Sequence, residues 1–86
     1  MELALLRTLM NREFYKNNRN LTKEKIFRSK ETRAIKNTID QAMLDYEDEI
    51  GPSDIEALFF SQNSALTTAQ KEVYQTLFRQ IDRVEL

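Results

Sequence analysis

One glycine and one proline occur among the 86 residues of the chain, and they stand side by side as Gly51 and Pro52. Glycine often ends a helix by adopting the left-handed conformation, and proline cannot continue a helix. Ser53, followed three residues later by Glu56, has the spacing of a capping box that begins the next helix. The sequence therefore predicts a stop and a restart, which form a sharp helix–helix corner at Gly51-Pro52-Ser53.

The apolar residues recur at helical spacing on both sides of this corner. Ser29 is the predicted cap of the longest helix, whose apolar face carries Ile35, Ile39, Ala42, Met43 and Tyr46. Thr67 and Gln70 form a second capping box, and the last helix then presents Val73, Leu77, Ile81 and Val84 on one face. No stretch alternates with the period of two that a strand requires, so the fold class is all-α.

Shorter elements complete the prediction. Residues 2–10 form a first helix, and Asn11 caps a short second helix. A polar loop covers residues 17–20, and a single turn covers residues 23–27. With the helix that follows Pro52, this gives a compact small bundle of about five to six helices, in one domain spanning residues 1–86.

The composition excludes several classes of activity. The chain has no cysteine and no histidine, which removes thiolate metal sites and the His-based nucleophile pairs. A single glycine cannot build a glycine-rich phosphate loop. The predicted catalytic, metal and cofactor sites are therefore none, and this domain is not an enzyme. No apolar run reaches the roughly 18–20 residues that span a bilayer, so we expect no membrane segment.

Charge is divided unevenly along the chain. Residues 1–36 contain ten basic and four acidic residues (+6), whereas residues 37–86 contain three basic and ten acidic residues (−7). Charged groups of opposite sign that set the orientation of a protein–protein contact are predicted at Arg28, Lys30, Arg33, Asp45, Asp48 and Glu49. Acidic residues at the end of a helix oppose its macrodipole, so a compensating basic partner is expected in the basic half or on another chain.

These charged groups have alternative interpretations. The acidic run at residues 45–49 could bind a hard cation, although it lacks the spacing of a calcium loop, and a solvated helix end is the simpler interpretation. The basic residues could contact phosphates, but the sequence pI of about 5.4 is far below the ~9 that is usual for a nucleic-acid module. Direct DNA contact is therefore expected to be minor or absent.

Three aromatic residues are candidates for homotypic packing: Phe60, Tyr74 and Phe78. Phe60 follows Phe59 directly, so the two rings project about 100° apart on a helix. On the last helix, the two aromatic residues make a second apolar row beside Val73 and Leu77, and the combined arc is wide for a surface helix. The alternatives are a protein interface, where aromatic residues are enriched, or a broad stripe required by a small core.

Four segments together resemble one family: "ELALLRTLMNREFYKN", "LTKEKIF", "AIKNTIDQAMLDY" and "GPSDIEAL". Their order is similar to that of the N-terminal domain of DnaB-type hexameric replicative DNA helicases, most of all those of large tailed bacteriophages of the T-even type. The matching positions are Leu5, Leu6, Leu9, Phe14, Leu21, Phe27, Ile35, Ile39, Pro52, Ile55 and Leu58. The chain lacks the His-Arg dipeptide and the glycine after the first helix that are common in cellular members, which favours a phage protein.

The resemblance implies a non-catalytic domain at the N-terminus of a longer helicase chain. Such a domain supports assembly of the hexamer and docks primase and the helicase loader, in the cytoplasm of the host cell. ATP and magnesium would bind in a separate motor domain. The alternative is a small helix-turn-helix-like DNA-binding protein that reads DNA with the helix after Pro52, although Asp54 and Glu56 would bring negative charge to the phosphates.

Overall fold

A computed structural model describes residues 2–18, 27–47 and 50–84. Within these ranges every regular element is an α-helix, which confirms the all-α prediction. The five helices are α1 (Glu2–Leu9), α2 (Arg12–Asn17), α3 (Lys30–Asp45), α4 (Pro52–Gln62) and α5 (Thr68–Asp82). Residues 23–26 of the predicted turn and residues 19–20 of the predicted loop lie outside the described residues, and so do Asp48 and Glu49. Of the rest of that loop, Asn17 is the last residue of α2 and Asn18 is its C-cap.

Three predicted helix starts are confirmed by their caps. The Asn11 side chain accepts a hydrogen bond from the Phe14 backbone N–H at 3.0 Å, and the Ser29 hydroxyl accepts from the Thr32 N–H at 3.1 Å. Thr67 begins α5 and forms a reciprocal capping box with Gln70, three residues later. Each cap satisfies backbone donors that would have no partner inside the helix.

The corner at Gly51-Pro52 differs from its prediction in two respects. Gly51 is extended (φ −93°, ψ 175°) and is the N-cap of α4, so its expected left-handed role in ending the preceding helix was wrong. The Ser53–Glu56 box was also wrong, because the Asp54 carboxylate accepts the Gly51 N–H at 3.0 Å instead. Pro52 is the first residue of α4, where its missing N–H costs nothing, so the predicted restart is confirmed.

Helix α3 ends at Asp45, six residues before Gly51. The physical reason is the acidic run that begins there, because further carboxylates on the last turn would face the negative end of the helix macrodipole. Tyr46 therefore leaves the helix in an extended conformation, with its side chain 49% exposed. The expectation that Tyr46 belongs to the buried face of α3 was wrong.

The two ends of α3 are held by charged side chains from the first helical segment. At the N-terminal end, the Glu2 carboxylate accepts the Arg28 N–H at 2.5 Å and the Thr32 hydroxyl at 3.4 Å. At the C-terminal end, the Arg12 guanidinium donates to the carbonyl oxygens of Met43, at 3.2 Å, and Tyr46. An acid at the positive end and a base at the negative end both favour the helix dipole.

A single apolar core joins the helices. Its members are Leu6, Leu9, Met10, Phe27, Ile35, Ile39, Ala42, Met43, Ile50, Ile55, Phe59, Tyr74, Phe78 and Ile81. Helix α3 packs on α4 and on α1, and α5 packs on α1 and α4. The buried residues of α5 are Tyr74, Phe78 and Ile81, whereas Val73, predicted on one apolar face with Ile81, is 47% exposed.

Phe59 is the centre of the contact between α4 and α5. Its ring centroid lies 4.4 Å from that of Tyr74, 5.6 Å from that of Phe78 and 5.4 Å from that of Phe60. The pair with Phe60 is edge-on, and the other two are tilted, which are the geometries that aromatic quadrupoles favour. The aromatic residues of α5 are therefore buried against Phe59 of α4.

Replacing Gly51 with alanine tests the corrected geometry of the corner. A Cβ at this position would meet only the Asp54 carboxylate, at 3.8 Å, which is an ordinary contact. Alanine is a poorer N-cap than glycine but also reduces the freedom of the unfolded chain, so the two effects oppose each other. We expect the free energy of unfolding, measured with urea, to change by less than about 1 kcal/mol. A larger loss would indicate that residue 51 needs the left-handed conformation.

Removing the Arg12 side chain tests how much Arg12 stabilises the C-terminal end of α3. Arg12→Ala leaves the carbonyls of Met43 and Tyr46 without their cationic donor. Because hydrogen bonds to charged groups contribute about 1.5–3 kcal/mol when partly buried, we expect a loss of about 1–3 kcal/mol in urea unfolding. Lys16→Ala, at an exposed position of the same helix, is the matched control and should change stability by less than about 0.5 kcal/mol. Equal losses of unfolding free energy in the two variants would contradict this stabilising role of Arg12.

Candidate protein-interaction surfaces

The three basic candidates lie together at the N-terminal end of α3. Arg28, Lys30 and Arg33 are all exposed, and the Arg33 guanidinium donates to the Arg28 carbonyl oxygen at 2.8 Å. This hydrogen bond holds the Arg33 side chain close to the Arg28 backbone, across the first turn of the helix. The structure therefore forms one cationic patch from residues that the sequence predicted as a group, and we call it the basic end of α3.

The acidic candidates lie at the opposite end of the same helix. Asp45 is exposed and accepts a hydrogen bond from the Gln41 side-chain amide at 2.9 Å, and the neighbouring Glu47 is exposed as well. Asp48 and Glu49 cannot be placed because they lie outside the described residues. The 16 residues of α3 span about 24 Å, so the basic and acidic ends are too far apart to pair within one chain.

The compensating basic partner expected for this acidic helix end is Arg12, which comes from the basic half of the chain. Its guanidinium binds backbone carbonyls and leaves the carboxylate of Asp45 facing solvent. Elsewhere on α3 a second acid is paired internally: Asp40 accepts from the Tyr15 hydroxyl and from Lys36, each at 2.7 Å. The Asp45 carboxylate, at the C-terminal end of the helix, remains exposed.

Two large apolar side chains are exposed at this acidic end of α3. Leu44 is 75% exposed and Tyr46 is 49% exposed, and they flank Asp45 along the chain. The sequence reasoning missed Leu44, although one signal was present: it follows the buried Met43 by about 100° and so leaves the core face. It missed Tyr46 as a surface residue because it extended the helix too far. Together, Leu44, Tyr46, Asp45 and Glu47 form the acidic–apolar knob.

The aromatic candidates are placed differently from the prediction. Tyr74 and Phe78 are only 8% and 2% exposed, and both pack on Phe59 within the chain. Their assignment to homotypic packing is therefore corrected: the broad apolar arc of α5 supplies the core with these rings. Phe60 is half-buried, 6.0 Å from Phe78 between ring centroids, so only part of its surface is available to a partner.

The residues predicted to share one face of α5 are placed differently: Ile81 is buried, Leu77 packs against the edge of the core, and Val73 faces outward. Val73 is exposed and Leu77 is half-buried. Two apolar stripes on one helix are indistinguishable by periodicity, and the choice between them depends on which stripe meets Phe59. A groove of about 570 Å³ runs beside this helix and is lined by Pro52, Ser53, Glu56, Gln75, Phe78, Arg79 and Asp82.

Tyr74 is less acidic than an ordinary tyrosine. Burial raises the pKa of its phenol above the ordinary value of 10.0, and the negative charge of Glu31 raises it further. Within the described residues, no group of three or more acidic, histidine or cysteine side chains is arranged to hold a metal ion. None of the helices that the structure describes has both the length and the apolar character needed to span a membrane.

Compared with protein-family models, with curated proteins and with solved structures, the chain matches none of them.

The acidity of Tyr74 predicts a loss of stability in alkali. The unfolded chain ionises this phenol near pH 10.0, before the folded chain does, so the free energy of unfolding falls as the pH rises above that value. Tyr74→Phe removes the ionisable phenol, so its free energy of unfolding, measured with urea from about pH 9 to pH 11, should fall less steeply. Tyr46→Phe, with an exposed ring, is the control. Identical slopes for wild type and Tyr74→Phe would contradict the prediction.

Proposed function

We propose that this chain is the non-catalytic N-terminal interaction domain of a replicative DNA helicase, which self-associates in the helicase hexamer and docks primase or the helicase loader during phage DNA replication. The sequence resemblance supplies the family. The acidic–apolar knob at the end of α3 is the structural observation that supports docking, because Leu44 and Tyr46 are exposed close together in the chain and contiguous exposed apolar area marks interaction sites.

The knob has the chemistry of a protein contact. A tyrosine and a leucine provide apolar area, and the carboxylates of Asp45 and Glu47 beside them favour a cationic segment of the partner. Arg12 fixes the knob in place by binding the backbone carbonyls of Met43 and Tyr46. A contact surface held in this way needs little ordering when the partner binds, which preserves affinity.

The basic end of α3 offers the opposite charge about 24 Å away. Arg28, Lys30 and Arg33 there would orient an acidic surface of a second protein or a neighbouring subunit. Charges that are separated in this way act on encounter and orientation more than on affinity, and their effect weakens as salt screens them.

Binding of the primase encoded by the same genome to residues 1–86 tests the docking role. By calorimetry, Leu44→Ser combined with Tyr46→Ser should weaken binding at least about tenfold, because the apolar anchors are lost. Val73→Ser, which removes an exposed apolar side chain from α5 instead, is the control and should bind as wild type does. Asp45→Lys should weaken binding most at low salt. Unchanged binding by the double variant would remove the knob from the docking surface.

The DNA-binding alternative makes the opposite prediction. The N-terminus of α4 presents Asp54, whose carboxylate is already used by the Gly51 N–H, and the exposed Ser53. In filter binding with a short duplex at low salt, we expect weak retention of DNA. Tight binding that falls steeply with salt, and that is lost in Arg28→Ala and Arg33→Ala, would favour the DNA-binding protein.

The parent gene offers an independent test of the family. The coding sequence after Leu86 should encode a glycine-rich phosphate loop roughly a hundred residues further on, and the longer product should hydrolyse ATP when DNA is present. A longer reading frame without such a loop would overturn the helicase assignment and leave the docking measurement unaffected.

A further inference from the structure

The exposed residues of α3 all lie on one face of the helix, which we call the outer face of α3. They are Lys30, Arg33, Asn37, Gln41, Leu44 and Asp45. At 100° per residue, the six fall within an arc of about 120°. The basic end of α3 and the helical part of the acidic–apolar knob therefore face the same way, and two uncharged amide side chains lie between them.

The charges of the outer face oppose the dipole of their own helix. Lys30 and Arg33 lie within the first four residues, near the positive end, and Asp45 is the last residue, at the negative end. Glu31, the acid of the first turn, lies about 100° from Lys30 around the helix and so is outside the outer face. Charges in this sense are unfavourable beside one isolated helix, and they match the dipole of a second helix that runs in the opposite direction.

A second α3 laid antiparallel supplies such a dipole. Lys30 and Arg33 of each copy then lie beside the negative end of the other helix, and Asp45 lies beside its positive end. About 24 Å separates the two charged ends within one chain, so the ends cannot pair there. In a parallel arrangement each charge would instead face its own kind and repel it.

The spacing of the outer face fixes one register for this contact. Residues 30, 33, 37, 41 and 44 are 3, 4, 4 and 3 apart, a sequence of intervals that is the same in both directions. With Asn37 opposite its own copy, Lys30 is level with Leu44 of the other chain and within about 2 Å, along the axis, of Asp45. The Lys30–Asp45 pair thus occurs twice, and the apolar stem of each lysine covers a leucine. This pattern is what a two-fold symmetric contact requires.

We propose that the outer face of α3 is a self-association surface, and that its occupant is the α3 helix of a second copy of this chain, antiparallel and centred on Asn37. This inference rests on the self-association part of the proposed function and names its surface. It takes the place of Tyr74 and Phe78, which are buried in the core. A pair of 16-residue helices offers about 24 Å of largely polar contact, so the pair belongs to the weak class of interfaces.

Sedimentation over roughly 10 µM to 1 mM protein measures the association, because this range brackets weak dimers. At about 50 mM salt, wild type should pass from monomer to dimer. At about 500 mM salt the dimer should weaken at least several-fold, because its charge pairs lie near solvent and are screened. A dimer that is insensitive to salt would overturn the charge pairing. Growth of the mass beyond the dimer would indicate head-to-tail contacts and overturn the two-fold arrangement.

Charge reversal tests the pairing of the two ends. Lys30→Glu and Asp45→Lys should each weaken the dimer at least about tenfold, because each creates two like-charged pairs. The double variant should recover association to within a few-fold of wild type. Lys71→Glu, which makes the same change of charge at an exposed position of α5, is the matched control and should dimerise like wild type. Circular dichroism of each variant verifies that it is folded, and failure of the folded double variant to recover would overturn the pairing.

Disulfide cross-linking reads the orientation directly, because the natural chain has no cysteine. Asn37→Cys should cross-link with itself under mild oxidation, because residue 37 lies on the two-fold axis. Gln41→Cys, one turn further along the same face, should not, because its two copies would be separated by about 12 Å along the axis, beyond the reach of a disulfide. Efficient self-cross-linking of Gln41→Cys would indicate a parallel pair and overturn the antiparallel arrangement.

The outcomes distinguish this inference from the proposed function. A dimer that survives Lys30→Glu and Asp45→Lys would overturn the outer face as the surface and leave self-association intact. A wild type that is monomeric over the whole range would overturn both. Primase docking on the acidic–apolar knob, measured separately, would stand in either case.

One further result links the two surfaces. The pair covers Leu44 and Asp45, which belong to the acidic–apolar knob, so a second copy and the primase compete for them. Primase that depends on the knob for binding should therefore dissociate the dimer. A dimer that stays intact with such a primase bound would overturn the outer face of α3 as its contact.

Discussion

The architecture depends on how the two ends of α3 are stabilised by side chains from the first helical segment. This helix carries its exposed charges in the unfavourable sense, with Lys30 and Arg33 at its positive end and Asp45 at its negative end. The first helical segment corrects the imbalance from outside: Glu2 binds at the N-terminal end and Arg12 binds at the C-terminal end. Since Glu2 and Arg12 stabilise the ends of α3, the exposed charged side chains of the helix are not needed for that stabilisation. They can therefore contact another protein.

The same division between internal and outward groups recurs on α5. Phe59 packs on Tyr74 and Phe78 in the core, Leu77 packs against the edge of the core, and Val73 stays exposed. The small core of an 86-residue chain does not cover every apolar side chain that its helices carry. The exposed Leu44 and Tyr46 at the end of α3 and the exposed Val73 of α5 are separate consequences of that small core.

The helix starts could be predicted from sequence because each depends on residues three or four apart. Asn11, Ser29 and Thr67 cap their helices as expected, and Pro52 begins α4. The end of α3 could not be found in the same way, because the lone glycine looked like the stop. The cost of extending a helix into an acidic run is gradual and leaves no single marker residue. Tyr46 was misplaced for that reason, and Leu44 was missed with it.

Fold class, the number of described helices and their starting points follow from local chemistry: hydrophobic period, capping side chains and the fixed backbone angle of proline act within a few residues. The choice of which apolar stripe of α5 faces inward does not, because both stripes have helical spacing and similar hydrophobicity. That choice is made by contacts with Phe59, which is fifteen residues before Tyr74 in the chain. The pairing of Arg12 with the end of α3, more than thirty residues away, likewise arises only when the helices pack.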